Sequence, residues 1–160
     1  MPKPDLDRID RNILALLQQD GRMANSDLSQ RVGLSPSPCL RRVKALEETG
    51  VIRNYVALVD PAAVDLSVSV FVSVTLERQV EERLDAFEAA VVRWPEVLEC
   101  YLMTGEADYL LRVVVPDLAA YERFLKDHLT RVPGVASIKS SFALKQVRYN
   151  TALPLGHLAD

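Results

Sequence analysis

The chain has little of what most chemistry needs. It holds two cysteines in 160 residues, Cys39 and Cys100, too few for a disulfide framework and not spaced as metal ligands. Neither has an activating neighbour, so both are expected to be packing residues, Cys39 in a core and Cys100 mid-strand. Its two histidines, His128 and His157, lie far apart and outside any zinc-binding spacing; His128 is expected on a helix surface. There is no glycine-rich phosphate loop and no nucleophile elbow. The chain therefore reads as a non-enzyme, with no metal, no cofactor and no catalytic residue. No apolar run reaches the roughly 18 residues of a membrane span, and Met1-Pro2-Lys3-Pro4 does not resemble a signal peptide. These absences point to a reduced, cytoplasmic protein without a membrane partner.

What is present is an ordinary globular composition, 49% hydrophobic and 26% charged, enough for one domain or two small ones. The net charge of −3 is unevenly spread. Residues 1–60 carry nine Lys/Arg against eight Asp/Glu, whereas residues 61–160 carry ten against fourteen. Arg22, Arg31, Arg41, Arg42 and Lys44 face only Asp27 within residues 22–44, a local +4. Field at a surface follows such clustering rather than the total. A solvated helix pair would also be basic, so charge alone does not decide.

The first sixty residues read as three helices. Leu6, Ile9, Ile13, Leu16 and Leu17 make an apolar stripe over Asp5–Gln19, with Asp5 and Asp7 at its positive N-terminus. Asn25 is a good N-cap for a second helix, which Gly33 stops. Ser35 caps a third, with Pro36 at its first position. Leu40, Cys39, Val43 and Leu46 fall in one sector of this third helix and are expected to be buried; Arg41 and Ala45 lie opposite, with Ser37, Pro38, Arg42 and Lys44 around them. A short turn between the second and third helices, followed by a small, polar, basic face, is the pattern of a helix-turn-helix and its recognition helix. Gly50 ends the third helix, and residues 51–59 alternate as a short strand would, completing a winged unit. Asp60-Pro61 marks a domain boundary, giving an N-terminal domain over 1–60 and a C-terminal one over 61–160. Asn25, Ser35, Ser37, Pro38, Arg41, Arg42 and Lys44 are the candidate contacts to double-stranded DNA.

The second half changes period. Val68–Leu76 alternates strictly, with valines on one face. A helix follows over Val80–Arg93 (Leu84, Phe87, Val91 and Val92 inward), then strands at Val97–Met103 and Asp108–Val115 joined by Thr104-Gly105-Glu106-Ala107. Asp117 caps a helix running to about Arg131 (Leu118, Tyr121, Phe124, Leu125 and Leu129 inward), and Ala136–Tyr149 is a long last strand. Arg93-Trp94-Pro95-Glu96-Val97 is echoed 38 residues later by Arg131-Val132-Pro133-Gly134-Val135; each time a helix ends, a proline bars its continuation and a strand begins. The order βαββαβ is ferredoxin-like, and the whole chain is α+β. Leu102, Met103, Leu110, Leu111, Val113 and Val114 occupy both phases of their strands, so both sheet faces need cover. The chain has no further element to supply it, and a second copy would.

These stretches also resemble the Lrp/AsnC regulators. L-D-R-I-D-R-N-I-L at 6–14 is similar to the family's opening helix. N-S-D-L-S-Q-R-V-G-L-S-P-S-P-C-L-R-R-V-K at 25–44 resembles its helix-turn-helix, and E-C-Y-L-M-T-G-E-A-D-Y-L-L at 99–111 resembles the core of its effector domain. The resemblance implies a sequence-specific transcription regulator with an N-terminal DNA-binding domain, a hinge strand and a C-terminal ferredoxin-like domain for sensing an amino acid. It implies a homodimer built on the sheets, further assembly to an octamer as a tetramer of dimers, and an effector bound between dimers, with leucine or methionine the expected kind. It carries Thr104, Gly105, Glu106 and Asp108 over as effector contacts, and Leu102, Ser140 and Ser141 less firmly. Physically, Asp108 or Glu106 suits an ammonium, backbone N–H groups near Gly105 a carboxylate, and Leu102 an apolar side chain. Asp108 is the acid expected to hold the ammonium. An ordinary hairpin turn with solvated acids fits the same residues. The alternative to a regulator is a small ferredoxin-like enzyme or metabolite-binding module whose first helices serve assembly; the face of Ser37, Arg41, Arg42 and Lys44 separates the two, because an assembly helix does not need it.

Overall fold

The computed structural model describes residues 5–158. They form two compact units, one of residues up to 58 together with those from 148 on, the other of residues 59–147.

The first unit is helical. α1 spans Arg8–Gln19, α2 Asn25–Val32 and α3 Pro36–Glu48. α1 starts three residues later than the expected Asp5, because Asp7 caps it: its carboxylate accepts from the Asp10 N–H at 2.8 Å while Asp10 reaches back to the Asp7 N–H at 3.3 Å. α2 ends at Gly33 with φ 72°, and Gly50 has φ 73° just past α3; both are left-handed positions that glycine takes without strain. Ile13, Leu14, Leu28, Cys39 and Leu46 make the core, with Val43, Ile52 and Leu155 packed against it. The burial of Cys39 matches its expected place. Leu40 does not: it is 43% exposed, because burial on α3 centres on Cys39, Val43 and Leu46 and leaves Leu40 past the edge of that sector.

The expected wing strand over 51–59 is absent. The Ile52 N–H reaches the Leu46 carbonyl at 2.9 Å, which anchors the segment's start. Beyond it no strand pairs with the segment among the described residues, and Val56, Leu58 and Val59 lie exposed. An alternating sequence becomes a strand only where a neighbour takes its backbone hydrogen bonds.

The tail from Arg148 belongs to this helical unit, although the last strand was expected to continue to Tyr149. Gln18 holds Leu153 by both backbone groups, accepting from its N–H at 2.6 Å and donating to its carbonyl at 3.2 Å. Arg11 donates to the Leu158 carbonyl.

The second unit is a four-stranded antiparallel sheet with two helices: β1 Val68–Leu76, α4 Glu81–Val91, β2 Val97–Leu102, β3 Tyr109–Val115, α5 Leu118–Asp127 and β4 Val135–Phe142, in sheet order β2-β3-β1-β4. This is the ferredoxin-like arrangement. Val70, Val72 and Val74 pack with Leu111, Val113, Phe87, Tyr121, Phe124 and Leu129 into one core between sheet and helices. β4 is shorter than its sequence allows because its partner runs out: the Ala143 N–H makes the last bond, to the Ser69 carbonyl, one residue from the start of β1. α5 is shorter too, giving way to a single turn over Leu129–Arg131. Two residues expected inward are not. Val92 caps the end of α4 and is 83% exposed, and Leu118 lies exposed in the first turn of α5. His128, expected on the helix surface, is half-buried and stacks on Trp94 with ring centres 5.0 Å apart. Cys100, expected to pack, is exposed on β2; partial desolvation, then the nearby Glu88, pushes its thiol up to about 11.

Candidate functional site

Two places gather the polar groups that the sequence singled out. The first is the outward face of α3. Ser37, Leu40, Arg41, Lys44, Ala45 and Glu48 recur at three- and four-residue steps and line a shallow depression of about 410 Å³. Neither Arg41 nor Lys44 has an ion-pair or hydrogen-bond partner among the described residues. Their charge is free to act outward.

Three of the expected DNA contacts sit elsewhere. Arg42 turns toward α1, where its guanidinium meets Asp7 at 2.7 Å and Asp10 at 2.8 Å. Those bonds hold its pKa above the ordinary guanidinium value and bind α3 to α1. Asn25 is not the N-cap of α2; that place is Ala24's, and the Asn25 amide donates to the Pro36 carbonyl at 2.9 Å, bracing the turn between α2 and α3. Pro38 is half-buried on the flank of α3. Ser35 does occupy the N-cap position of α3, but its side chain makes no capping bond and remains open with that of Ser37. Pro36 and Pro38 bring no N–H groups, so anion attraction at this helix start rests on Ser37 and the two hydroxyls.

The second place is the turn between β2 and β3. Gly105 has φ 120° with nothing within 4 Å of where a Cβ would stand, so the backbone, not crowding, requires glycine there. Asp108 was expected to meet an effector's ammonium. It is instead 4% exposed: it accepts from the Leu76 N–H at 2.7 Å and from the Gln79 amide, tying the turn to the end of β1. Glu106 is the open acid, its side chain 96% exposed and 3.8 Å from the Lys139 ammonium. Thr104 and Gly105 are exposed beside it. Thr75, Gln79 and Lys139 are therefore neighbours of the turn that sequence reading missed, since strand register brings Thr75 and Lys139 there and a bond to Asp108 brings Gln79.

The weaker candidates do not gather around it. Ser140 pairs with Val72 and Ser141 with Phe71, so the two face opposite sides of the sheet. Ser140 shares a hydrogen bond with the Tyr121 hydroxyl, whereas Ser141 lies on the open face. Leu102 pairs with Tyr109 at the end of β2 and is exposed. The open face also carries Phe71, Tyr101 and Leu110, with Arg112 held to Glu99 at 3.0 Å; Val114, in the same phase of β3, is already buried. A bond from the Tyr101 hydroxyl, then one from Arg112, keeps the Glu99 carboxyl below its usual range.

The Lrp/AsnC ligand binding domain model matches residues 69–153, and a winged helix-turn-helix DNA-binding model matches residues 6–53. The chain is 54% identical over 151 residues to the Bkd operon transcriptional regulator of Pseudomonas aeruginosa, covering 94% of this chain and 99% of that one. It is 47% identical over 152 residues to the leucine-responsive regulatory protein of Salmonella typhimurium, covering 95% and 93%. Among solved structures, a transcriptional regulator from Neisseria meningitidis in complex with L-methionine superposes with a TM-score of 0.92 at 46% identity, covering 96% of this chain and 99% of that one.

Proposed function

We propose, from the premise that this chain belongs to the Lrp/AsnC family, how its two units divide the work of regulation. It is a transcription regulator with a helix-turn-helix DNA-binding unit and an amino-acid ligand-binding unit. The observation that carries the rest is the unpaired basic face of α3. Arg41 reads a base edge, since its fork fits guanine O6 and N7, while Lys44, Ser35 and Ser37 meet phosphate. Arg42 and Asn25 hold the helix that does the reading.

The effector is a small apolar amino acid, methionine or leucine. The supports are the methionine complex of the Neisseria regulator and the name of the Salmonella relative. Glu106 takes the ammonium, the exposed backbone at Thr104–Gly105 the carboxylate, and Asp108 positions the turn. A second copy covers the open sheet face, and pairs assemble further, with the effector turn at the contact between pairs. A ligand seated between subunits shifts assembly by its differential affinity for the two states. The setting is cytoplasmic, which fits the absence of any membrane-spanning helix among the described residues.

The test of the DNA-binding face is binding to a selected duplex over a range of salt. Arg41→Ala should cost about 1–3 kcal/mol at the specific site, and Lys44→Ala should weaken all duplexes and lower the salt slope by about 1. Unchanged binding by Arg41→Ala would remove its assignment.

A further inference from the structure

We infer that Leu40 is a specificity-determining residue that reads the 5-methyl group of a thymine in the major groove. The inference rests on the DNA-binding reading above. Leu40 sits in the middle of the free face of α3, one turn after Ser37, next to Arg41 and one turn before Lys44. The core does not use it: Cys39, Val43 and Leu46 supply the apolar contacts of α3, and Leu40 is 43% exposed. A singly exposed leucine is common on any surface. Here, however, it lies on the face whose free cations, Arg41 and Lys44, are complementary to a phosphate backbone.

The groove itself limits what such a side chain can match. Base edges there are hydrogen-bond donors and acceptors, apart from one apolar group, the methyl of thymine. A leucine entering among polar edges leaves them unpaired, whereas against a methyl it buries apolar surface on both sides. Arg41 and Leu40 would then read neighbouring positions, one by hydrogen bonds and the other by apolar contact. Glu48 closes the face at the C-terminal end of α3, where a carboxylate would be repelled by phosphate, so the reading residues are those of the first two turns.

The experiment uses the full chain and a duplex selected from a random library. Each thymine of the selected site is replaced singly by deoxyuridine, which lacks only the methyl. One replacement per half-site should weaken wild-type binding about fourfold, the value of one buried methyl group. Leu40→Ala should weaken binding to the unmodified site by at least as much and be indifferent to that same replacement. Its salt slope should equal wild type's, because no phosphate contact is lost. Thermal melting of Leu40→Ala should match wild type, since the side chain is outside the core. If Leu40→Ala responds to every replacement as wild type does, or if no thymine methyl matters to wild type, the assignment is overturned while the DNA-binding reading stands. If wild type selects no duplex, both fall.

Discussion

Arg41 and Arg42 are neighbours in sequence, and a helix turns neighbouring side chains about 100° apart. Arg41 faces outward, and Arg42 lies across the acids that cap α1. The Asp7 carboxyl is held below its ordinary value, first by the Asp10 N–H and then by the Arg42 guanidinium. A carboxylate with a depressed folded pKa stabilises the fold above its unfolded value of about 3.9 and loses that contribution as pH falls through the folded value. Asp7→Asn keeps a capping oxygen and removes the charge. It should melt below wild type at neutral pH, and the two should converge as the pH falls through the depressed folded value, below which Asp7 is protonated in both states. Denaturant melts of the two proteins from acid to neutral pH check this; a gap that persists at low pH would assign the effect to geometry, not charge. Asp7 at the start of α1 was legible in the sequence; Asp10 as its partner in the cap was not. Nor was their bond to Arg42, because it joins residues 32 and 35 apart that only packing brings together. Leu40 was misjudged for a related reason: a helical wheel gives the sector that can be buried, and the neighbouring helices decide which part of it is.

At the scale of the element, the turn between β2 and β3 has one acid built in and one left out. Asp108 accepts the Leu76 N–H within the unit, while Glu106 is nearly free. The two should separate on substitution. Asp108→Asn exchanges an acceptor for an amide and should lower stability by about 1–3 kcal/mol even without ligand. Glu106→Gln should leave stability within about 0.5 kcal/mol of wild type. With methionine or leucine at 100 Kd, wild type should gain about 2.7 kcal/mol in a thermal-shift screen, and Glu106→Gln should lose most of that gain. An equal response from Glu106→Gln would take the ammonium away from Glu106. The turn itself was legible from Gly105 and its flanking strands, as were all four strands and both helices of this unit. What was not legible were lengths: β4 stops where β1 begins, and residues 53–59 stay single because no strand among the described residues pairs with them. Both limits are set by a neighbour, which alternation within one segment does not encode.

At the scale of the molecule, the open sheet face sets the expected assembly. Phe71, Tyr101 and Leu110 share it with the paired Arg112 and Glu99, and neither α4 nor α5 covers them. Mixed faces of this kind are what subunits bury, an apolar centre with polar groups already satisfied. Sedimentation at micromolar concentration should find at least a dimer, and Leu110→Lys should shift it toward monomer; a wild-type monomer would leave this face without a partner. The helical unit has a further dependence, in time. Gln18 and its partner Leu153 are separated by 135 residues, and Leu155 comes later still. A ribosome adds about 5–20 residues per second. The helices, translated before the sheet unit, must therefore wait on the order of ten seconds for the segment that packs against α1. The part that meets DNA begins to emerge before the sheet unit and is finished only after it.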